Sequence, residues 1–282
     1  MINQGTFKHT TILFLLIFSF ICLYEPSLGQ SNEAIERHYK DSIQNLPSFT
    51  IYGDNYLITG TTLGEHPTAQ NSDAKLQFGF KQRLTRHTLP GNTFLYFTYQ
   101  QTSLWNIYEK SYPFRDHVFH PSLGLGKMLF KDKKLHGGLW LAFEHESNGR
   151  GGDESRGWNY ISLMYITKPM QDLTASLKTW MRVDDLKGNE DLMDYKSYFE
   201  LGLGYRPHPK WIFQSEIRKS FTPDWKGKLM LSASWRITEK ADQFIYLQYY
   251  NGYAESLLNY SEHVNMLRIG FAIKDLSFLF KG

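Results

Sequence analysis

The sequence predicts an all-β chain, a 12-stranded antiparallel transmembrane β-barrel of the outer-membrane kind, from three observations. Segments of about ten residues with alternating apolar and polar side chains recur from Ser48 to the C-terminus, and ten residues is the span of a tilted membrane strand. Twelve can be counted, an even number as single-chain bacterial barrels prefer, because closure leaves no unpaired edge in lipid. Aromatic residues reach 16%, with 18 Tyr and 20 Phe, while charged residues stay at 21% and mean hydropathy is −0.43. A barrel hides its hydrophobicity in this way, since only every second residue must be apolar. A water-soluble β-sandwich also alternates. Tyr96, Tyr99, Trp105, Trp140, Trp158, Tyr165 and Trp180, near predicted strand ends, resemble interfacial girdles and favour the membrane.

The chain opens with "MINQGTFKHTTILFLLIFSFICLYEPSLGQ", in which a Lys precedes an apolar run from Ile12 to Leu23, followed by Pro26 and the small residues Ser27 and Gly29. Residues 1–29 therefore read as a signal peptide cut near Gly29 or Gln30, since the run falls short of the ~20 residues of a spanning helix. The single cysteine, Cys22, lies inside this run, so the mature chain has no thiol. Residues 30–47 are a polar periplasmic lead-in with one or two amphipathic helical turns, and residues 48–282 form the barrel, with no internal repeat or second domain. The net charge of +3 is too small to argue for nucleic acid.

The first predicted strand, 50–60, runs into the loop "TLGEHPTAQNSDA"; the second and third cover 75–84 and 93–105. The fourth, 117–130, turns through "KDKK" into the fifth, 135–147, which ends in "NGRGGDESRG". The sixth, 158–167, turns through "TKPMQD" into the seventh, 172–184, which gives way to "DDLKGNEDLM". The eighth, 195–206, turns through "RPHP" into 209–219, and 226–236, 242–253 and 264–275 complete the set. Turns after even strands are mostly brief and several connections after odd strands are long, the asymmetry of short periplasmic turns and longer outer loops. The end of the fifth strand thus lies at the outer rim.

Residues i and i+2 of a strand share a face, so Leu139, Leu141, Phe143, His145 and Ser147 form one column, while Trp140, Ala142, Glu144 and Glu146 point the other way. With the glutamates in the polar lumen, His145 and Ser147 project outward at the level of lipid headgroups, where they can meet phospholipid ester bonds. Asn159 lies beside them on the outward column of the returning strand. A serine nucleophile needs a base, and the base needs a third group to hold one ring nitrogen as a donor. Asn159 can do this through its amide oxygen, with Asp153 as runner-up, whereas Glu144 and Glu146 face inward. An isolated H-x-S is more often a pair of rim residues that bond headgroups or loop backbone. His117 and His120, three apart on a strand, face opposite sides, which argues against a zinc site.

The stretch "FEHESNGRGGDESRGWNY" strongly resembles the signature of the outer-membrane phospholipase A family, H-x-S-N-G-R followed by a short polar loop and S-R-x-W-N. "NYLI", "SYPFR", "GYAESLLNY" and a terminal "DLSF" also look like family segments. The resemblance implies Ser147 as nucleophile, His145 as general base and Asn159 as orienting residue. It also implies an oxyanion hole at the Gly149 N–H together with a calcium-bound water. Calcium would be held by Ser111, the Arg150 carbonyl and Ser155, shared across a homodimer, with Gln101 matching a glutamine at the dimer face; a place in the barrel lining is the alternative for Gln101. A further acidic calcium position of the family falls here on Gly188, with Asp184, Asp185 and Asp191 nearby. Barrels of this kind end on an aromatic, a role Phe280 would fill. The expectation is a calcium-dependent serine hydrolase cleaving acyl esters of phospholipids and lysophospholipids at the outer leaflet of the outer membrane. A lipid acyltransferase, or a non-catalytic pore or scaffold, is the alternative.

Overall fold

The computed structural model describes residues 43–131, 134–184, 188–238 and 242–274. The expected signal peptide, most of the lead-in, Asp185 and Phe280 lie outside the described residues. Thirteen strand segments form one antiparallel sheet. β1 (Phe49–Ile51) and β2 (Asp54–Thr62) both pair with β3 (Ser72–Arg83), so they are two parts of one stave. β4 (Thr93–Trp105), β5 (Phe114–Lys131), β6 (Lys134–Ser147), β7 (Gly157–Met170) and β8 (Leu173–Arg182) follow, each paired with the next. β9 (Phe199–His208), β10 (Trp211–Lys219), β11 (Gly227–Arg236), β12 (Gln243–Gly252) and β13 (Val264–Lys274) continue the series. Pairing of β13 with β2 closes a barrel of twelve staves.

The first stave breaks because its register moves by two residues, from Ile51↔Phe80 to Tyr56↔Gln77. Gly53 takes up the kink at φ 66°. The Asn55 side chain fills the gap, accepting the Gly79 N–H at 2.7 Å and donating to the Gly79 carbonyl at 3.2 Å. Position 79 must be glycine, since a Cβ there would lie 2.5 Å from the Tyr52 carbonyl oxygen. The expected eighth strand also begins later: Leu192–Lys196 is a short helix, α1, and β9 starts only at Phe199.

Alternation sorts the two faces. Leu57, Phe143 and Phe271 stand exposed on the outside. Inside, charges are buried in pairs, as the cost of desolvating an isolated ion requires. Arg268 donates to Asp73 at 2.6 and 2.9 Å and to Glu255 at 2.8 and 3.1 Å, and Lys75 meets Glu255 at 2.9 Å. Glu144 is shared by His120 at 2.5 Å and Lys178 at 2.9 Å, while Lys196 reaches Glu146 at 2.6 Å. The mouth at the long-loop end is covered by α1 and the segment after β12, whose Leu192, Met193 and Leu257 pack on Trp158, Tyr160 and Trp180. Of the predicted aromatic girdle, Tyr99, Trp105 and Tyr165 stand on outward columns, and the other four residues turn inward. Trp158 and Trp180 are buried in the mouth, and Tyr96 and Trp140 meet as a tilted ring pair, centroids 5.6 Å apart, over Gly124 and Gly126, also on the inward face. Further outward aromatics at a short-turn end are Tyr205, Trp211 and Trp235. At that end Arg83 holds the carbonyls of Ile43, Gln44 and Leu46, tying the lead-in to the barrel.

Burial opposes the charge on Glu255, in the segment after β12, but Arg268 and Lys75 outweigh it and hold the carboxyl down at about 2. A value below the ~4.3 of an unfolded Glu stabilises the barrel at neutral pH, and that contribution fades as pH falls from about 4 through 2. Arg268→Met leaves Asp73 with Arg115 and Glu255 with Lys75 as remaining cations and is expected to cost about 3 kcal/mol, read as a lower denaturation midpoint in lipid bilayers at pH 7. The gap to the parent should narrow near pH 2.

Candidate active site

β6 carries His145 and Ser147 at its C-terminal end, and β7 returns beside it in the register His145↔Asn159 and Ser147↔Gly157. Residues directly opposite on an antiparallel pair share a face with Cβ atoms about 5 Å apart. Their side chains meet: His145 Nδ1 lies 2.8 Å from Asn159 Oδ1. The face is the exterior, since Phe143 on the same column is 51% exposed while Glu144 and Glu146 are buried in lumen ion pairs. Ser147 stands one pleat beyond His145 on that face, both half-buried. No hydrogen bond joins the two among the described residues, and in ligand-free sites nucleophile–base contacts are often long.

Asp153, the other candidate to orient His145, is exposed in a 3-10 turn, Gly152–Glu154, and makes no contact with the imidazole. The carboxylate that does join the set is Asp184, two residues past the end of β8. Its Oδ2 accepts the Asn159 side-chain N–H at 3.0 Å and the Asn159 backbone N–H as well. The aspartate is visible in the sequence, but its proximity to Asn159 depends on the β7–β8 register Tyr160↔Arg182, which alternation alone does not specify.

The loop between β6 and β7 is organised by Asn148, which sequence reasoning passed over although an Asn-Gly pair commonly builds a turn. Its side chain accepts the N–H groups of Arg150 at 3.2 Å and Arg156 at 2.9 Å and donates to the Glu154 carbonyl at 2.8 Å. Its backbone N–H donates to the Arg156 carbonyl at 2.9 Å. Gly149 sits at φ 69°, where a Cβ would lie 2.7 Å from the Phe119 ring. Among the described residues its N–H meets no acceptor. Arg150 reaches across to the Arg115 carbonyl at 2.5 Å and lies 4.0 Å from Asp116. Asp116 in turn accepts the Ser256 hydroxyl at 2.7 Å and the N–H groups of Leu257 and Leu258 at 2.9 Å, binding three connections at the rim.

Of the residues expected to hold calcium, Ser155 is exposed in the same loop as Arg150, while Ser111 lies in the β4–β5 connection with its backbone at φ 70°. No contact joins Ser111 to Arg150 or Ser155 among the described residues. The donors are hydroxyls and a carbonyl, the hard oxygen chemistry calcium takes, but three fall short of the ~6–8 ligands it needs. In chemistry, though not in number, the three suit a calcium ion. Gly188, at φ 77°, offers no side chain at the acidic position, and Asp191 accepts the Tyr260 hydroxyl. No group of three or more His, Cys, Asp or Glu suited to a metal occurs among the described residues. His117 bonds Ser103 on the outer wall and His120 bonds Glu144 in the lumen, as the pleat requires. Gln101 lies on the outward column between Tyr99 and Ser103, bonded to both at 2.9 and 3.2 Å, which sets aside its placement in the lining.

The Phospholipase A1 family model matches residues 30–273. The chain is similar to a putative phospholipase A1 of Neisseria meningitidis serogroup B, at 31% identity over 77% of this chain and 59% of that protein. It is also similar to phospholipase A1 of Escherichia coli K12, at 28% identity over 81% of this chain and 83% of that protein. Among solved structures, outer membrane phospholipase A from Escherichia coli matches with a TM-score of 0.72 at 26% identity, covering 82% of this chain and 100% of that one. A Salmonella typhi outer membrane phospholipase dimer with bound calcium matches with a TM-score of 0.72 at 25% identity, covering 82% and 94%.

Asn148→Ala removes the acceptor and donor that close the loop, and trypsin cleavage at Arg150 or Arg156 of the folded barrel is expected to accelerate about tenfold, as for a buried hydrogen-bonded group left unmatched. Gly149→Ala should cost about 1–3 kcal/mol of local stability through strain and contact with Phe119. Adding Phe119→Leu should recover part of that loss in the same proteolysis assay.

Proposed function

The chain belongs to the phospholipase A1 family, and from that premise we propose that it is a calcium-dependent serine hydrolase of the outer membrane, cleaving acyl esters of phospholipids and lysophospholipids at the outer leaflet. The observation that carries the reading is the 2.8 Å contact between His145 and Asn159 on the same exterior face as Ser147. A pore or scaffold has no use for that cluster on its outer wall.

In the proposed mechanism Asn159 accepts the Nδ1–H of His145, leaving Nε2 as the free base. His145 removes the Ser147 hydroxyl proton as Oγ attacks the ester carbonyl of a lipid lying against β6 and β7. The oxyanion forms beside the Gly149 N–H, a donor whose loss from such a hole costs about 3 kcal/mol. His145 then gives its proton to the departing glyceryl oxygen, and water activated by the same imidazole releases the fatty acid. Ser111, the Arg150 carbonyl and Ser155 are the residues proposed to hold calcium, whose charge would favour the developing negative oxygen. Their distribution, with too few ligands in one chain, supports a homodimer as the active form, with Gln101 on the outward wall available to the contact.

The test is release of free fatty acid from phosphatidylcholine in mixed detergent micelles. Ser147→Ala should lower kcat by at least about a thousandfold while the barrel still shows heat-modifiable mobility on gels. Chelator should suppress the parent activity, and Ser155→Ala should raise the calcium concentration needed for half-maximal rate. Hydrolysis retained by Ser147→Ala would refute the assignment.

A further inference from the structure

We infer that Asp184 is a positioning residue of the catalytic set: its carboxylate holds the Asn159 carboxamide with Oδ1 turned to His145 and thereby fixes the imidazole proton on Nδ1. The inference rests on the reading of Ser147, His145 and Asn159 given above and extends it by one residue. The two ends of an amide group look alike in shape, so what turns Oδ1 rather than Nδ2 toward the ring has to come from a neighbour. Asp184 is that neighbour. A carboxylate only accepts, so the amide end 3.0 Å from its Oδ2 must be the NH2. The other end, 2.8 Å from His145 Nδ1, is then the carbonyl oxygen. A carbonyl oxygen in turn requires a donor, so Nδ1 carries the hydrogen and Nε2 is free to act as base.

The reverse arrangement is penalised twice. A flipped carboxamide would set its oxygen against the Asp184 oxygen, acceptor to acceptor, and would offer an N–H to Nδ1. The ring would then carry its proton on Nε2, the nitrogen needed to deprotonate Ser147. In other triads the wrong tautomer alone costs up to about 10⁴-fold in rate. The same Asp184 oxygen also accepts the backbone N–H of Asn159, and the Val183 N–H donates to the Asn159 carbonyl at 2.9 Å. Both the backbone and the side chain of Asn159 are thus gripped from the residues that follow β8. Asp184 touches neither His145 nor Ser147 by any hydrogen bond among the described residues, so its effect passes through Asn159.

The experiment uses the full chain refolded in mixed micelles with saturating calcium and phosphatidylcholine. Asp184→Ala is expected to lower kcat about ten- to a hundredfold, the range for a directly bonded partner, at unchanged KM, and to cause no further loss when Asn159 is already Ala. Asn159→Asp alone sets two carboxylates against each other and should also be impaired. Asn159→Asp with Asp184→Asn, which restores a donor facing an acceptor, should recover at least about tenfold. A kcat within twofold of the parent for Asp184→Ala, or losses that multiply with Asn159→Ala, would each overturn the inference. Should Asp184→Ala fail to give a folded barrel, the exchanged pair decides alone: recovery supports the inference and its absence overturns it. Ser147→Ala run in parallel separates the two levels, since activity surviving there removes the underlying hydrolase reading as well.

Discussion

Everything at the long-loop rim depends on one register, the pairing of His145 with Asn159 across β6 and β7. Because side chains alternate with a period of two, that pairing sends His145, Ser147 and Asn159 to the exterior and Glu144 and Glu146 to the lumen together. A slip of one residue would exchange the sets, burying the imidazole in the ion-pair network and exposing two carboxylates to lipid. The lumen therefore protects the site. Lys178 on Glu144 and Lys196 on Glu146 hold β6 in the register that faces His145 outward. Positioning of the exterior chemistry is bound up with pairing of the interior charges.

Much of this was legible in the amino-acid sequence, for a physical reason. Staves such as β4, β10 and β13 fall within a residue or two of their expected bounds because each is a single amphipathic segment closed by turn residues. The opposed faces of His117 and His120 and the inward glutamates follow from the same periodicity. What alternation does not encode is how one strand meets the next away from its own segment. The break at Tyr52 and Gly53 is such a case, set by a two-residue register change against β3. The inward turn of Trp140 and Trp158, by contrast, follows from the same alternation that sends Glu144 inward and Asn159 outward, and Gly124 and the helix α1 supply the space and cover for them.

Asp184 and Asn148 show the same limit within the site. Both stand in loops, where no period assigns a face. Asn148 works through four hydrogen bonds inside its own loop, whereas Asp184 acts on a residue 25 positions away. The rim is accordingly a set of connections joined by side chains: Arg150 to the carbonyl of Arg115, Asp116 to the segment after β12, Asp184 to β7. The segment after Ser111 joins this network through the Arg115 carbonyl, which Arg150 reaches, and "GYAESLLNY" joins it through Ser256, Leu257 and Leu258 at Asp116.

The central claim is that this exterior cluster works as one hydrolytic set. The most direct measurement is reaction of the folded protein with a long-chain alkyl fluorophosphonate, followed by mass spectrometric mapping of the modified residue. The account predicts a single stoichiometric adduct on Ser147, slowed strongly by His145→Ala. An adduct at another residue, or none while ester hydrolysis proceeds, would contradict it.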